Sequence, residues 1–467
     1  MFDLGRELKR FFASERFTSE RFASERGAPS REGLTRGDAT LLELLDANLL
    51  AQEAKAADVA AGRIGAKDKS RLRLDAAIVW RELARRTGDA VALRKAAALA
   101  ETAAAGLESE RHGETWARAR CEQAFCALLG AEIFGDPGLN AAAEAAFREA
   151  RSAARGGLAA PLADVGLAAI AARTDLETAE AAQIRSLAER FAAPIAALDS
   201  MAKRITAARS LAAEARLLRA DLLCAAGARL RDPDLLDMAA KDAAVASGKL
   251  DAAYEPLTWA RAQVAHGQAL ALRGECMGDL DALAAGAGVL ANAIDQLTRD
   301  HSPMDWARTQ VALAQTLQAL GEASGEVRAF EHAISSYDRA NLVLKETPTL
   351  PLRGLAASAR AVCLARTAEL TGDLAVLDSA EAAMKIELAR MSPRRDPVGW
   401  GISQLHLARL YEARMGLRAR DQGERAAGLL ALEAALDVFA EHGQRSLSIL
   451  ATEAIARLRE PATTPER

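Results

Sequence analysis

Residues 302–340 read SPMDWARTQVALAQTLQALGEASGEVRAFEHAISSYDRA, and the chain repeats this stretch. Trp259, Trp306 and Trp400 each stand three residues after a proline (Pro256, Pro303, Pro397). The first two tryptophans are 47 residues apart and the next interval is 94, twice that spacing. A copy without its tryptophan is therefore expected from Arg353, and Ala361, Gly372, Asp373 and Ala380 fall on schedule. A fixed period of this length is the mark of stacked structural repeats.

Working outward, the copies start at Lys69, Trp116, Ala163, Ser210, Trp259, Trp306, Arg353 and Trp400. Every interval is 47 except one of 49, where ARLRDPDLL carries two extra residues. Eight residues into each copy stands a small residue (Ala77, Ala124, Ala171, Gly267, Ala314, Ala361, Ala408), interrupted only by Leu218. Nineteen residues in comes glycine with an acidic neighbour: Gly88-Asp89, Gly135-Asp136, Gly278-Asp279, Gly325-Glu326, Gly372-Asp373. Glycine ends a helix and aspartate starts the next, so each copy reads as two antiparallel helices of about 15 to 18 residues.

The second helix of each copy carries a small, a large and a small residue at steps of four and three. Examples are Ala333-Tyr337-Ala340, Ala143-Phe147-Ala150, Gly286-Leu290-Ala293 and Gly428-Leu432-Ala435, with Ala239-Ala243-Ala246 an all-small version. These offsets share one helical face, so the small residues admit a neighbouring helix and the large one fills the space between. In the first helix a small residue precedes a larger one by three, as in Ala314-Leu317, Ala361-Leu364, Ala408-Tyr411 and Gly267-Leu270. With these columns the chain resembles the tetratricopeptide repeat (TPR) family, in a long variety of 47 rather than the usual 34 residues. The extra residues enter in threes and fours, nearly whole helical turns, so each column keeps its face. The resemblance covers roughly 37–459. It implies an all-α, right-handed superhelical solenoid of about eight antiparallel helix pairs. HEAT-like helical pairs are the alternative architecture.

Composition agrees with an all-helical chain. Half of the 467 residues are apolar, yet only 4% are aromatic, alanine dominates and β-branched runs are scarce. A formal charge of −4 supplies no basic footprint for nucleic acid. Five cysteines (Cys121, Cys126, Cys224, Cys276, Cys363) lack CxxC spacing and read as free thiols. No apolar run reaches 18 residues and no signal-peptide core opens the chain, so a cytoplasmic protein is expected.

Residues 1–36 differ from the rest. Leu4, Leu8, Phe11 and Phe12 form one face of a short amphipathic helix, and Phe17 and Phe22 follow at five-residue steps among arginines. The segment reads as a peripheral membrane or partner anchor, or alternatively as a flexible tail or a cap on the array. DATLLELLDANLLAQEAKAADVAAG reads as an amphipathic helix with Leu41, Leu42, Leu45 and Leu49 recurring at helical spacing. The third copy lacks the Gly-Asp turn, and RGGLAAPLA (155–163) is a candidate bend. SLSILATEAIARLRE (446–460) should cap the last pair, and 460–467 is a tail.

No catalytic constellation is present. The six histidines form no HxxxH or HExxH, and there is no GxxxxGK[ST] or GxSxG, so no metal, cofactor or enzymatic role is expected. The tryptophans read as structural wedges behind helix-initiating prolines. What the resemblance implies instead is a concave groove lined by the first helices. The inward positions carried over hold Arg118, Arg261, Gln268, Arg308, Gln315, Gln318, Arg409 and Glu412. Such a row either clamps the carboxylates and amides of a protein or peptide partner or pairs with neighbouring acids. Earlier copies place apolar Ile78 and Phe125 at matching positions, a greasier stretch of groove. The expected role is a non-enzymatic scaffold or adaptor, the alternative a membrane-associated assembly or polarity factor anchored by residues 1–36.

Overall fold

The computed structural model describes residues 40–63, 67–107, 113–345, 351–394 and 396–460. The proposed anchor side chains (Leu4, Leu8, Phe11, Phe12, Phe17, Phe22) and the tail beyond Glu460 lie outside the described residues. The described residues are helical throughout, with no strand among them. None of their helices is long and apolar enough to cross a membrane. The chain divides into two compact units, Met1–Thr309 and Gln310–Arg467.

In the first unit α1 (Ala47–Gly62) precedes a series of helix pairs. They are α2 (Lys69–Thr87) with α3 (Ala90–Ala105), and α4 (Gly113–Phe134) with α5 (Gly138–Ala153). Then come α6 (Ala159–Asp175) with α7 (Ala181–Glu189) and α8 (Ala192–Met201), and α9 (Ala207–Leu230) with α10 (Pro233–Lys249). Last are α11 (Pro256–Met277) with α12 (Leu280–Gln296), and the start of α13 (Pro303–Ser324). The second unit continues with α14 (Val327–Leu344), the pairs α15 (Pro351–Thr371) with α16 (Leu374–Arg390) and α17 (Pro397–Arg418) with α18 (Glu424–Glu441), and the closing α19 (Arg445–Arg459).

The packing columns are where the periodicity puts them. Ala143, Phe147 and Ala150 are fully buried, as are Ala333 and Ala340, with Tyr337 at 1% exposure. Removing one such ring from water contributes about 1.5–3 kcal/mol. The turn chemistry holds as well: Gly88, Gly135, Gly278, Gly325 and Gly372 all take positive φ, between 62° and 78°. Asp89, Asp279 and Asp373 accept backbone N–H groups of the following helix with their side chains. Glu326 does not, because its longer side chain overshoots the cap position. These buried columns and capped turns make the chain an all-α helical repeat.

Three local expectations are corrected. First helices are longer than foreseen: α4, α11, α13 and α17 run 22 residues because they begin three residues ahead of the tryptophan, at Gly113 in α4 and at the proline in the other three. The second helix of the third copy is split into pieces of 9 and 10 residues. Pro194 has no N–H for the carbonyl four residues back and crowds it, so the helix cannot run through. The segment after Gly37 is also two elements rather than one helix. Thr40–Leu44 forms a 3₁₀ turn, and Asp46 then caps α1 by accepting the Leu49 N–H at 2.9 Å. In consequence Leu42 and Leu50 are buried while Leu41 is 55% exposed. The cysteines are free, with Cys121, Cys126 and Cys363 buried.

Trp259 fills a junction, packing with Val264 on buried Leu257, Ala260 and Leu297. That is the structural use expected of it. α19 covers the open side of the last pair with Ala451, Ala454, Ile455 and Leu458.

Candidate functional site

The first helices bring the carried-over positions to two different settings. In the first unit the facing helices and the 40–46 segment close on one another through charge. Glu43 is buried, and its carboxylate accepts the N–H groups of Leu257 and Thr258 (2.8 and 2.9 Å) and the Thr258 hydroxyl at the start of α11. Burial raises its carboxyl all the same. His301 Nε2 meets the Glu43 carbonyl at 2.5 Å. From the other side, fully buried Arg86 donates to the carbonyls of Leu45 and Leu42 (2.7 and 2.8 Å) and to Glu82. The 40–46 segment is thus bonded at once to α2 and to the starts of α11 and α13, 214 residues further along at Leu257.

Two predicted groove residues are committed inside this network. Arg261 donates to Asp305 Oδ2 from Nε (3.1 Å) and Nη2 (2.5 Å), and Ser302 donates to the same oxygen at 2.6 Å. Burial alone would raise the Asp305 carboxyl, but the guanidiniums of Arg261 and Arg85 outweigh it and hold the group well below the usual carboxylate range. Arg308 pairs with Glu132 on α4. Gln268 is half-buried on α11. Of the two readings of this row, pairing with neighbouring acids is the one realised at Arg261 and Arg308.

Arg118 stands apart. It is 9% exposed, lies one helical turn before the Glu122 that pairs with Arg81, and makes no hydrogen bond or ion pair among the described residues. Its Nε is sealed from water with no acceptor. It lines a cavity of about 110 Å³ together with Ile78 and Phe125, the two apolar positions noted in the sequence.

The second unit arranges its first helices differently. Arg366 bonds Glu322 (3.0 Å) and Glu369 (2.5 Å); Arg409 bonds Glu369 (2.7 Å) and Glu412 (3.4 Å). Arg457 then bonds Glu412 at 2.8 Å. Acid and base alternate across α13, α15, α17 and α19 in one unbroken row. Its side chains stay 21–54% exposed and line a shallow polar depression. Arg409 and Glu412 were read from the sequence; Glu322, Arg366, Glu369 and Arg457 were not. The signal was there, since Arg366 stands thirteen residues into the tryptophan-less copy, one place beyond the offset of Gln318 and Glu412. Gln315 is exposed, whereas Gln318 accepts the Tyr337 hydroxyl at 3.2 Å and so helps hold the column residue of α14. Among the described residues no group of histidine, cysteine and acidic side chains could hold a metal ion.

No protein-family model matches the chain, and no curated protein does. Among solved structures it is similar to a Rap protein complexed with competence and sporulation factor, at 10% identity and a TM-score of 0.46, over 84% of this chain and 98% of that one. It is also similar to a signal transduction ATPase with numerous domains carrying a tetratricopeptide repeat sensor, from Pyrococcus horikoshii. That match has 11% identity and a TM-score of 0.43, over 85% of this chain and 53% of that one. A third is aspartyl phosphate phosphatase F from Bacillus subtilis, at 12% identity and a TM-score of 0.34, over 86% and 96% of the two chains.

Proposed function

We propose that the protein is a non-enzymatic scaffold whose second unit binds a protein or peptide partner on the face of its first helices. The observation that carries this reading is the alternating row Glu322–Arg366–Glu369–Arg409–Glu412–Arg457, which runs from α13 through α15 and α17 to α19 and stays partly exposed. Pairs this exposed are worth about 0–1 kcal/mol each, so a partner can exchange them for its own charges at little cost. A row of both signs suits a partner that presents both, as an extended peptide with acidic and basic side chains does. Gln315 adds a free amide on α13 in the same helix series.

The test is photocrosslinking in cells from a residue placed at Gln315 or Glu412, compared with one placed at Leu430, 71% exposed on the second helix α18. The expected result is a discrete crosslinked species from the first two positions and not from the third. It should disappear in the charge-reversed Arg366→Glu/Arg409→Glu chain, whose helical circular dichroism stays unchanged. Equal crosslinking from all three positions refutes the reading.

A further inference from the structure

The cavity of the first unit has a charge balance that the scaffold reading does not use. Three of its acids are already engaged: Glu122 by Arg81, Glu82 by Arg85 and Arg86, and Glu43 by the start of α11. Two further charged groups stand on its wall, Arg118 on α4 and Glu214 on α9, the latter within electrostatic reach of Arg85. Neither makes a hydrogen bond or ion pair among the described residues. An arginine nine-tenths buried without an acceptor is costly, because its desolvation goes uncompensated. Beside the paired charges the wall carries apolar Ile78, Phe125, Leu162, Val165, Leu211 and Leu218. One cation, one anion and these apolar side chains describe the complement of a small zwitterion with a hydrophobic body.

Size narrows the class. A volume of about 110 Å³ holds about 7 to 11 water positions, the room needed by a single apolar amino acid and too little for a peptide. Arg81, Arg85 and Glu214 each keep part of their surface in solvent, so the space is reachable from outside.

We propose that this cavity is a binding site for a free apolar α-amino acid of the size of leucine or phenylalanine. Arg118 takes the carboxylate as a charge-assisted fork, Glu214 takes the ammonium, and Ile78, Phe125 and Leu218 enclose the side chain. The site lies in the first unit and is independent of the partner-binding row, so either reading can fail alone.

The experiment is isothermal titration calorimetry of the full chain with L-leucine and L-phenylalanine. 4-Methylpentanoate, which lacks the ammonium, and isopentylamine, which lacks the carboxylate, are run alongside. The expected result is saturable one-site binding of at least one amino acid, at least tenfold tighter than either truncated analogue. Arg118→Gln should weaken it at least tenfold, and Glu214→Gln should weaken the amino acid while leaving 4-methylpentanoate unchanged. If Arg118→Gln does not fold, Glu214→Gln and the cavity-filling Leu218→Phe serve instead, and both should lower amino-acid affinity at least fivefold. No saturable binding up to 10-fold above a millimolar, on the order where such a contact set becomes meaningless, overturns the proposal. So does amino-acid affinity that Glu214→Gln and Leu218→Phe leave unchanged, or 4-methylpentanoate binding as tightly as leucine.

Discussion

Gly166→Ala tests the packing code at its tightest point. A Cβ on Gly166 of α6 would lie 2.3 Å from Cε2 and Cζ of Phe147, more than an ångström inside ordinary carbon contact, and 2.7 Å from its Cδ2. The Phe147 ring cannot slide away freely. It is fully buried, with buried Ala143 and Ala150 on its own helical face, and Phe125 meets it edge-on at 5.1 Å between centroids. Two effects oppose one another. Alanine is favoured over glycine inside a helix by about 0.8–1.0 kcal/mol, and overpacking of a filled core costs about 1–3 kcal/mol. With the ring hemmed in, the upper part of that range applies, so the net loss should be about 1–2 kcal/mol. Phe147→Leu removes the atoms that collide, and in that background Gly166→Ala should cost about 1 kcal/mol less or become neutral. The measurement is hydrogen exchange by mass spectrometry on peptides of α5 and α6. It reads local opening free energies in an array that need not unfold in one step. Additivity of the two substitutions within about 0.3–0.5 kcal/mol would show that the ring and the glycine are not in register, and the repeat alignment would fail with it.

Two further outcomes follow from the charge network and a third from a histidine of α17. Asp305→Asn leaves Arg261 buried opposite a neutral amide, and loss of a buried partner of this kind costs about 3–5 kcal/mol; urea melts of the first unit's exchange-protected helices should shift accordingly, and a loss under 1 kcal/mol on the order of a surface pair contradicts it. Glu43→Ala strands the N–H groups of Leu257 and Thr258, about 1–3 kcal/mol for such orphans, and should raise exchange in both the 40–46 segment and the first turn of α11; exchange rising in one alone contradicts the clasp. His406, half-buried with its Nδ1 sealed from water, has its imidazole lowered by burial to about 4 from 6.5. Between those values the unfolded chain takes up a proton that the folded chain refuses, so stability falls as pH drops from 6.5 toward 4 and levels off below. His406→Gln should flatten that part of the pH profile of thermal melting, and an unaltered profile would show that another group governs it.

Helical spacing made the columns legible because a step of four and three returns to one face whatever else the chain does. Tyr337, Phe147 and the positive-φ glycines needed nothing beyond that. The Pro194 break was legible in principle, as proline inside a helical stretch is a local signal. The partners that other helices bring to Arg261, Arg308 and Arg409 were not, because spacing along a helix says which way a side chain points and nothing about what another helix places opposite. Asp305 stands 44 residues from Arg261, and Glu132 stands 176 from Arg308. Arg118 shows the same limit from the other side: the sequence lists it among the inward positions, and only the packed helices reveal that it bonds to no acid among the described residues.

The bond between Glu43 and the start of α11 also has a consequence for the order of events on the ribosome. Leu257 is made 214 residues after Glu43, which at about 5–20 residues per second takes on the order of 10–40 seconds of synthesis. Throughout that interval the helix pairs from α2 onward can stack one by one on their predecessors, while the 40–46 strap has nothing at its far end to hold. Closure of the first unit is therefore a late event, timed by translation itself. A nascent chain stalled before Thr258 should carry its early pairs formed and its strap still open to protease.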